Sequence, residues 1–433
     1  MLVTLLLASV ALSPWTSDQT LAYAPGPIDN PLKGLVPYAG EHRSKFPHSM
    51  EFGYLPLSDL MKGRGLYDWT KLERLLDDIA SRGHQTVFRI YVEYPASPSG
   101  LPQFLKQEGV KVFEYASEDP NVKIPNYTPD YRDTKLQSAL TEFITALGKR
   151  YDNDPRIGYV TAGLLGYWGE WHTYPRTDLA PPLELQTKVL DAFEKAFRKV
   201  PILLRYPSSG DANYVANQNR PFGYHDDSFA WATLDTGKPD DSWFFLPSMK
   251  RAKATEKWKQ FPIGGEIRPE AWGKVFDPNP GDPQIQNFRK CVDESHATWL
   301  MDSGMFGAPQ SPERIKRAKT EVARMGYEFA VTNVKRSRKL LTITVENRGV
   351  APFYRDWPVE LAVVTKGNIG DRRKTGWKLS GILPGESATW RLPSPPEGKL
   401  LIRVPNPMPK GHPVKFANKD QDRDVVGWLS LSQ

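Results

Sequence analysis

Between about residue 30 and residue 326, short apolar runs alternate with stretches whose apolar residues recur every three or four positions. That alternation predicts parallel strands joined by crossover helices. The runs that read as strands are 34–38, 50–57, 86–92, 158–166, 202–206, 223–229, 262–267 and 298–301. Leu72, Leu75, Leu76 and Ile79 share one helical face, with Asp68 placed to open that helix and Gly83 to close it. Leu136, Leu140, Phe143 and Leu147 repeat the spacing after Asp133, and Ile315, Ala318, Val322 and Met325 repeat it between Ser311–Pro312 and Gly326. The connection between the first two strands carries no clear helix.

Eight strands with interleaved helices over about 300 residues fit an α/β fold of the (β/α)8 TIM-barrel type. A doubly wound open sheet is the alternative, but no glycine-rich phosphate loop follows any strand, which counts against its nucleotide-binding form. After Gly326 the period changes to two: "KLLTITVENRG" puts Leu341, Ile343 and Val345 on one face, and "PVELAVV" and "GKLLIRV" repeat the alternation between the turns "LPGE" and "PSPPEG". Residues 25–326 are therefore expected to form the barrel and 327–433 a smaller antiparallel β-sandwich that packs against it or binds sugar.

The first residues, "MLVTLLLASVALSPW", hold an apolar run the length of a signal-peptide core and too short to span a bilayer. Ala11 and Ser13, or Ala22 and Ala24, offer small residues for cleavage, although a basic leader is missing. Residues 1–24 thus read as a signal peptide and the protein as secreted or periplasmic. Nothing later is apolar for long enough to be transmembrane.

The 433 residues are 39% hydrophobic and 25% charged, a globular balance. The net charge of +7 is interleaved with acidic residues, and the nearest thing to a basic patch, "KRSRK" at 335–339, reads as a solvated turn, so no nucleic-acid partner is expected. The single cysteine, Cys291, excludes an internal disulfide and a multi-cysteine metal site.

Barrel enzymes carry their chemistry where strands end. The fourth strand runs into "GLLGYWGEWHTYP", which sets Glu170 between Trp168 and Trp171 with His172 beside it, and the seventh, "PIGGEIRPE", ends in Glu266. Two carboxyls on opposite sides of a barrel mouth suit glycoside cleavage, in which one protonates the departing oxygen and the other attacks the anomeric carbon or steers water to it. The tryptophans offer flat faces for sugar rings, and Trp272 is a further stacking candidate. The plainer alternatives are a salt-bridged Glu170 and a Glu266 paired with Arg268. Arg89 and Glu93 after strand three, Arg205 after strand five and Asp302 after strand eight complete the expected pocket, each with an ion-pair alternative. The Pro- and Tyr-rich segment 95–133 is expected to wall the cleft. A carbohydrate substrate and no cofactor follow from this chemistry.

The strand-four and strand-seven glutamates resemble those of clan A glycoside hydrolases, retaining (β/α)8 enzymes. More closely, "NPLKGLVPY", "YDWTKLERLLDDIASRGHQTVFRIYVEYP", "GLLGYWGEWH" and "APFYRDWPVELAVV" resemble a group of uncharacterised bacterial exported proteins with a barrel followed by a sandwich of unknown function. The clan resemblance implies Glu170 as acid/base, Glu266 as nucleophile and Tyr224 as a hydrogen-bond partner of the nucleophile, with His225 beside it. Gly169 departs from the asparagine usual before the clan's acid/base. Two other readings stand beside the hydrolase: a barrel that binds carbohydrate without cleaving it, and a metal-dependent hydrolase using His172, His225, Asp226 and Asp227 with Glu170. Against the latter, no HxH or HExxH spacing occurs, and a serine hydrolase lacks its GxSxG elbow.

Overall fold

Each apolar run forms a strand: β1 Gly34–Val36, β2 Met50–Pro56, β3 Gln85–Tyr91, β4 Ile157–Thr161, β5 Ile202–Leu204, β6 Gly223–Phe229, β7 Ile263–Ile267 and β8 Trp299–Met301. The structure, a computed structural model, describes residues 16–41, 45–117, 123–365, 368–370 and 372–431. The strands bond in the order β1-β8-β7-β6-β5-β4-β3-β2 and every pairing is parallel. A parallel bridge from Tyr38 to Phe52 brings β1 back to β2, so the sheet is a nearly closed barrel rather than an open doubly wound one.

Several of the helices between the strands start where a side chain satisfies a free N–H group. In α1 (Thr70–Ser81) Leu72, Leu76 and Ile79 are buried, and the Asp68 carboxylate accepts from the Thr70 amide at 3.0 Å. Asp133 and Ser311 cap α2 (Thr134–Tyr151) and α6 (Pro312–Ala323) in the same way. Between them lie α3 (Leu183–Ala196), α4 (Phe245–Arg251) and α5 (Phe288–Ser295), the last holding Cys291 buried. Among the described residues, no helix connects β1 to β2. Segment 95–133 builds a short helix, Gln103–Gln107, and a hairpin of Val112–Tyr115 with Asn126–Pro129.

Alternation along the strands sends Met50, Phe52, Val87, Tyr159, Leu203 and Trp299 into one buried cluster. Trp299 stacks on Tyr159 at 5.7 Å and 20°. Room for that indole comes from Gly264, where a Cβ would stand 2.2 Å from the Trp299 ring.

After the barrel come β9 (Phe329–Ser337), β10 (Leu340–Asn347), β11 (Glu360–Thr365), β12 (Ser387–Pro393), β13 (Lys399–Arg403) and β14 (Leu429–Ser430). They form two antiparallel sheets. One holds β9, β10 and β12, with Thr16–Thr20 paired along β9; the other is built on β11, β13 and β14. Val331, Ile343 and Trp390 of the first share a buried cluster with Leu361, Ile402 and Leu429 of the second. Arg355, half-buried, reaches the barrel, donating to the carbonyls of Gly158 at 2.5 Å and Ile157 at 3.2 Å and to that of Lys199. Of the expected signal peptide, residues 1–15 lie outside the described residues. Among the described residues no helix is long and apolar enough to cross a membrane.

Candidate active site

The fourth strand stops at Thr161, well short of the 158–166 read from the sequence, because the chain beyond it turns repeatedly left-handed. Leu164, Gly166, Trp168, Gly169 and Trp171 have φ of 72°, 72°, 52°, 75° and 67°. For a side-chain-bearing residue that region costs on the order of 1–2 kcal/mol, so the loop must be held by other contacts. The Trp171 indole donates to the Ala162 carbonyl at 2.7 Å, the Trp171 amide to Leu165 at 2.8 Å, and the Tyr167 amide to His172 at 2.8 Å. Gly166 sits where a Cβ would come within 2.4 Å of the His172 carbonyl oxygen. Pinned in this way, the loop buries Trp171 and turns the Glu170 side chain outward.

Glu170 and Glu266 line the same cleft of about 1310 Å³, together with Trp168, Trp171, His172, Arg205 and Trp272. Trp171 acts mainly as the pin of the loop, since it is 6% exposed and its N–H is already used. The indole N–H of Trp272, in contrast, meets no acceptor among the described residues. Sequence reasoning missed much of the wall: Tyr38, Tyr54, Tyr94, Tyr206 and Trp243 also face the cleft, as does Asp227, which the sequence offered only as a metal ligand. Tyr54 lies near the end of β2, so the strand-end rule that found Glu266 would have found it.

Arg89, Glu93, Tyr224, His225 and Asp302, expected in the pocket, do not line it. Arg89 and His225 lie beneath the cleft in the barrel, 2% and 0% exposed, where Asp227 joins them. The Asp227 carboxylate meets Arg89 at 3.0 Å, Arg205 at 2.9 Å and His225 at 2.8 Å. Burial opposes its charge, yet His225 and the two guanidinium groups hold its carboxyl well below the ordinary range. Tyr224 is turned away because β6 alternates: its neighbour His225 points inward, and its own hydroxyl donates to Asn217 at 2.7 Å rather than to Glu266. Asp302 accepts from the Gly273 and Gly304 amides at 3.3 and 2.6 Å and is pushed up to about 6 by burial. Glu93 accepts from Thr128 and, at 2.5 Å, from Tyr131, whose oxygen in turn accepts from the Gly166 amide at 2.8 Å. Burial pushes Glu93 up to about 7.

Glu170 takes the ion-paired form that was its plainer alternative while still facing the cleft. Its Oε1 is 3.0 Å from Arg89 Nη1 and its Oε2 is 3.5 Å from His172 Nε2. The expected Arg268–Glu266 pair is replaced by one between Arg268 and Glu270 at 2.7 Å. Burial raises Glu266 well above the ordinary carboxylate range, and the charges of Glu170 and Asp227 raise it further.

The metal-hydrolase reading loses its ligand set. Asp226 turns outward to the Ser228 amide and Thr233 hydroxyl at 2.9 and 2.7 Å, while His172 and His225 partner different carboxylates. Among the described residues the one group able to gather three ligand atoms, within 4.8 Å of one another, is His48, Glu51 and His84. Arg82 already pairs with that Glu51 at 2.8 Å.

No protein-family model and no curated protein matches the chain. Among solved structures it is similar to endo-glycoceramidase II from Rhodococcus sp., at 12% identity and a TM-score of 0.44, covering 87% of this chain and 100% of that one. A GH5_18 from Bifidobacterium longum subsp. infantis is 13% identical with a TM-score of 0.38, over 64% of this chain and 70% of that one. A beta-galactosidase from the psychrophilic Marinomonas ef1 is 10% identical with a TM-score of 0.38, over 67% and 59%.

Proposed function

We propose that the chain is a retaining glycoside hydrolase acting on a polysaccharide or oligosaccharide, with Glu170 and Glu266 as its carboxyl pair. The observation that carries this reading is that side chains from the ends of β4 and β7 open into one aromatic-walled cleft. A carboxyl pair flanking an acetal is the minimum equipment for glycoside cleavage, and Trp168, Tyr94, Tyr38 and Trp272 supply apolar faces on which sugar rings stack. Arg89 holds Glu170 as a positioning residue, and Asp227 in turn ties Arg89 to His225 and Arg205. The chemistry runs on the chain's own carboxyls and water. The C-terminal sheets serve as an accessory module that closes the foot of the barrel through Arg355.

The test is a defined glycan panel with E170Q and E266Q made separately. A hydrolase loses turnover of its substrate in both variants and keeps binding in at least one. Unchanged release of reducing ends in either variant would refute the pair, and a protein that binds a glycan equally in all three forms without turnover is the non-catalytic binder.

A further inference from the structure

We infer that the outer part of the cleft is a subsite for an acidic sugar unit, one carrying a carboxylate or a sulfate ester, with Trp243 under its ring and Arg251 and Arg132 on its anionic groups. This deepens the glycosidase reading of the same cleft and rests on it.

The charges along the cleft are unevenly paired. Four arginines line it. Arg205 is paired with Asp227 at 2.9 Å and Arg268 with Glu270 at 2.7 Å, but Arg132 and Arg251, both exposed, meet no carboxylate among the described residues. Nearby carboxylates are engaged elsewhere. Asp211 accepts from the Asn213 and Tyr214 amides at 2.8 and 2.7 Å, and Asp178, which feels the charge of Arg132, is held by Arg176 at 2.7 Å. A guanidinium without a counter-charge beside a cleft is a ready donor fork for a carboxylate or a sulfate.

Arg251 is anchored. Its Nη2 donates to the Ser248 hydroxyl at 3.2 Å and its Nη1 to the Ser242 carbonyl, while Ser248 donates in turn to the Trp243 carbonyl at 3.1 Å. Those contacts tie the guanidinium to the segment that carries Trp243, which is 48% exposed. An exposed indole with a cation fixed beside it matches the two halves of an acidic sugar, an apolar ring face and an anionic substituent. Arg132 comes from the segment after β3 and Arg251 from α4 after β6, so they flank the loops that follow β4 and β5. There Tyr174 and Leu183, both exposed, continue the apolar surface. The opposite charge lies at the centre of the cleft, on Glu170, Glu266 and Asp227. Anionic groups are therefore repelled from the bond to be cleaved and drawn to the rim, which places the acidic unit beside the scissile linkage rather than across it. The net charge of +7 favours the approach of an anionic polymer to the molecule as a whole.

Isothermal titration calorimetry with matched oligosaccharides tests this on the full chain. The pairs are oligogalacturonate against its methyl ester, oligomannuronate against oligomannose, and sulfated against unsulfated dextran oligosaccharide. The expected result is that at least one acidic member binds more tightly than its neutral partner and loses that advantage at high salt. R132M and R251M should each weaken the acidic member about three- to tenfold and the neutral one by less than about twofold. R251K, which keeps the charge, should recover part of the loss, and W243A should weaken both members. The carboxylate and sulfate pairs show which anion is taken. Equal affinity for charged and neutral members of every pair, acidic binding unchanged in both arginine-to-methionine variants, or a loss equal for both members would overturn the inference. Acidic binding without turnover would sink the hydrolase and leave the subsite standing, whereas turnover of a neutral glycan with no preference for charge would do the opposite.

Discussion

Glu93 gives the most quantitative handle on how the Glu170 loop is held. It is buried at 1% exposure, and its partner Tyr131 also carries the Gly166 amide of the Glu170 loop. Burial moves its midpoint from 4.5 to about 7. At about 1.4 kcal/mol per pH unit, that displacement corresponds to about 3 kcal/mol. The sign follows from the direction. With the folded midpoint raised, folded and unfolded chains are both protonated below about pH 4.5 and Glu93 costs nothing. As pH rises toward 7 only the unfolded chain ionises freely, so stability falls, and above 7 the penalty stays constant. The isosteric E93Q removes the titration while keeping a group that can bond Thr128 and Tyr131. Urea unfolding of both proteins from pH 4 to 8 should therefore give similar stabilities at the acid end. At pH 8 the variant should gain up to about 3 kcal/mol over the parent. Parallel curves across the whole range would refute the argument that a protonated carboxyl braces the loop.

Removing the Arg89 guanidinium in R89M leaves Glu170 and Asp227 short of their shared cation. The expected loss is about 3–5 kcal/mol in urea unfolding, partly recovered in R89M/E170Q. Gly166→Ala must hold a Cβ against the His172 carbonyl at positive φ; it should cost more than the about 1–2 kcal/mol of the φ alone, read in urea unfolding, and should lower turnover. Arg355→Met orphans buried carbonyls at the foot of β4 and should destabilise by about 1–3 kcal/mol, read in the same unfolding assay, with the KM for the glycan unchanged. Incubation with chelator should leave hydrolysis unaffected; lost activity restored by added divalent metal would revive the metal-dependent reading.

Much of the barrel was legible because a parallel strand buried on both faces is written as an apolar run, and all eight runs became strands. What an apolar run does not encode is where the strand stops. The run 158–166 continues past Thr161, but glycines at 163, 166 and 169 let the chain turn back on itself, and that turn exposes Glu170. Facing was recoverable from period two and was missed at β6: in "GYHDDSF" His225 and Asp227 share the inner face, so Tyr224 and Asp226 had to be outside. The cleft walls were the least legible part. Tyr206 and Trp243 reach the cleft from loops between strands, and tertiary packing, not local pattern, sets their place. The antiparallel pairings after Gly326 follow the alternation at Leu341, Ile343 and Val345, all three buried.

The central claim is that one acetal fits between the side chains of Glu170 and Glu266. A crystal structure of E266Q soaked with the oligosaccharide that the parent hydrolyses tests it most directly. The account predicts an anomeric carbon about 3–3.5 Å from an oxygen of one of the two side chains, with the glycosidic oxygen turned toward the other. A sugar bound on the aromatic wall with its scissile bond out of reach of both side chains would contradict it.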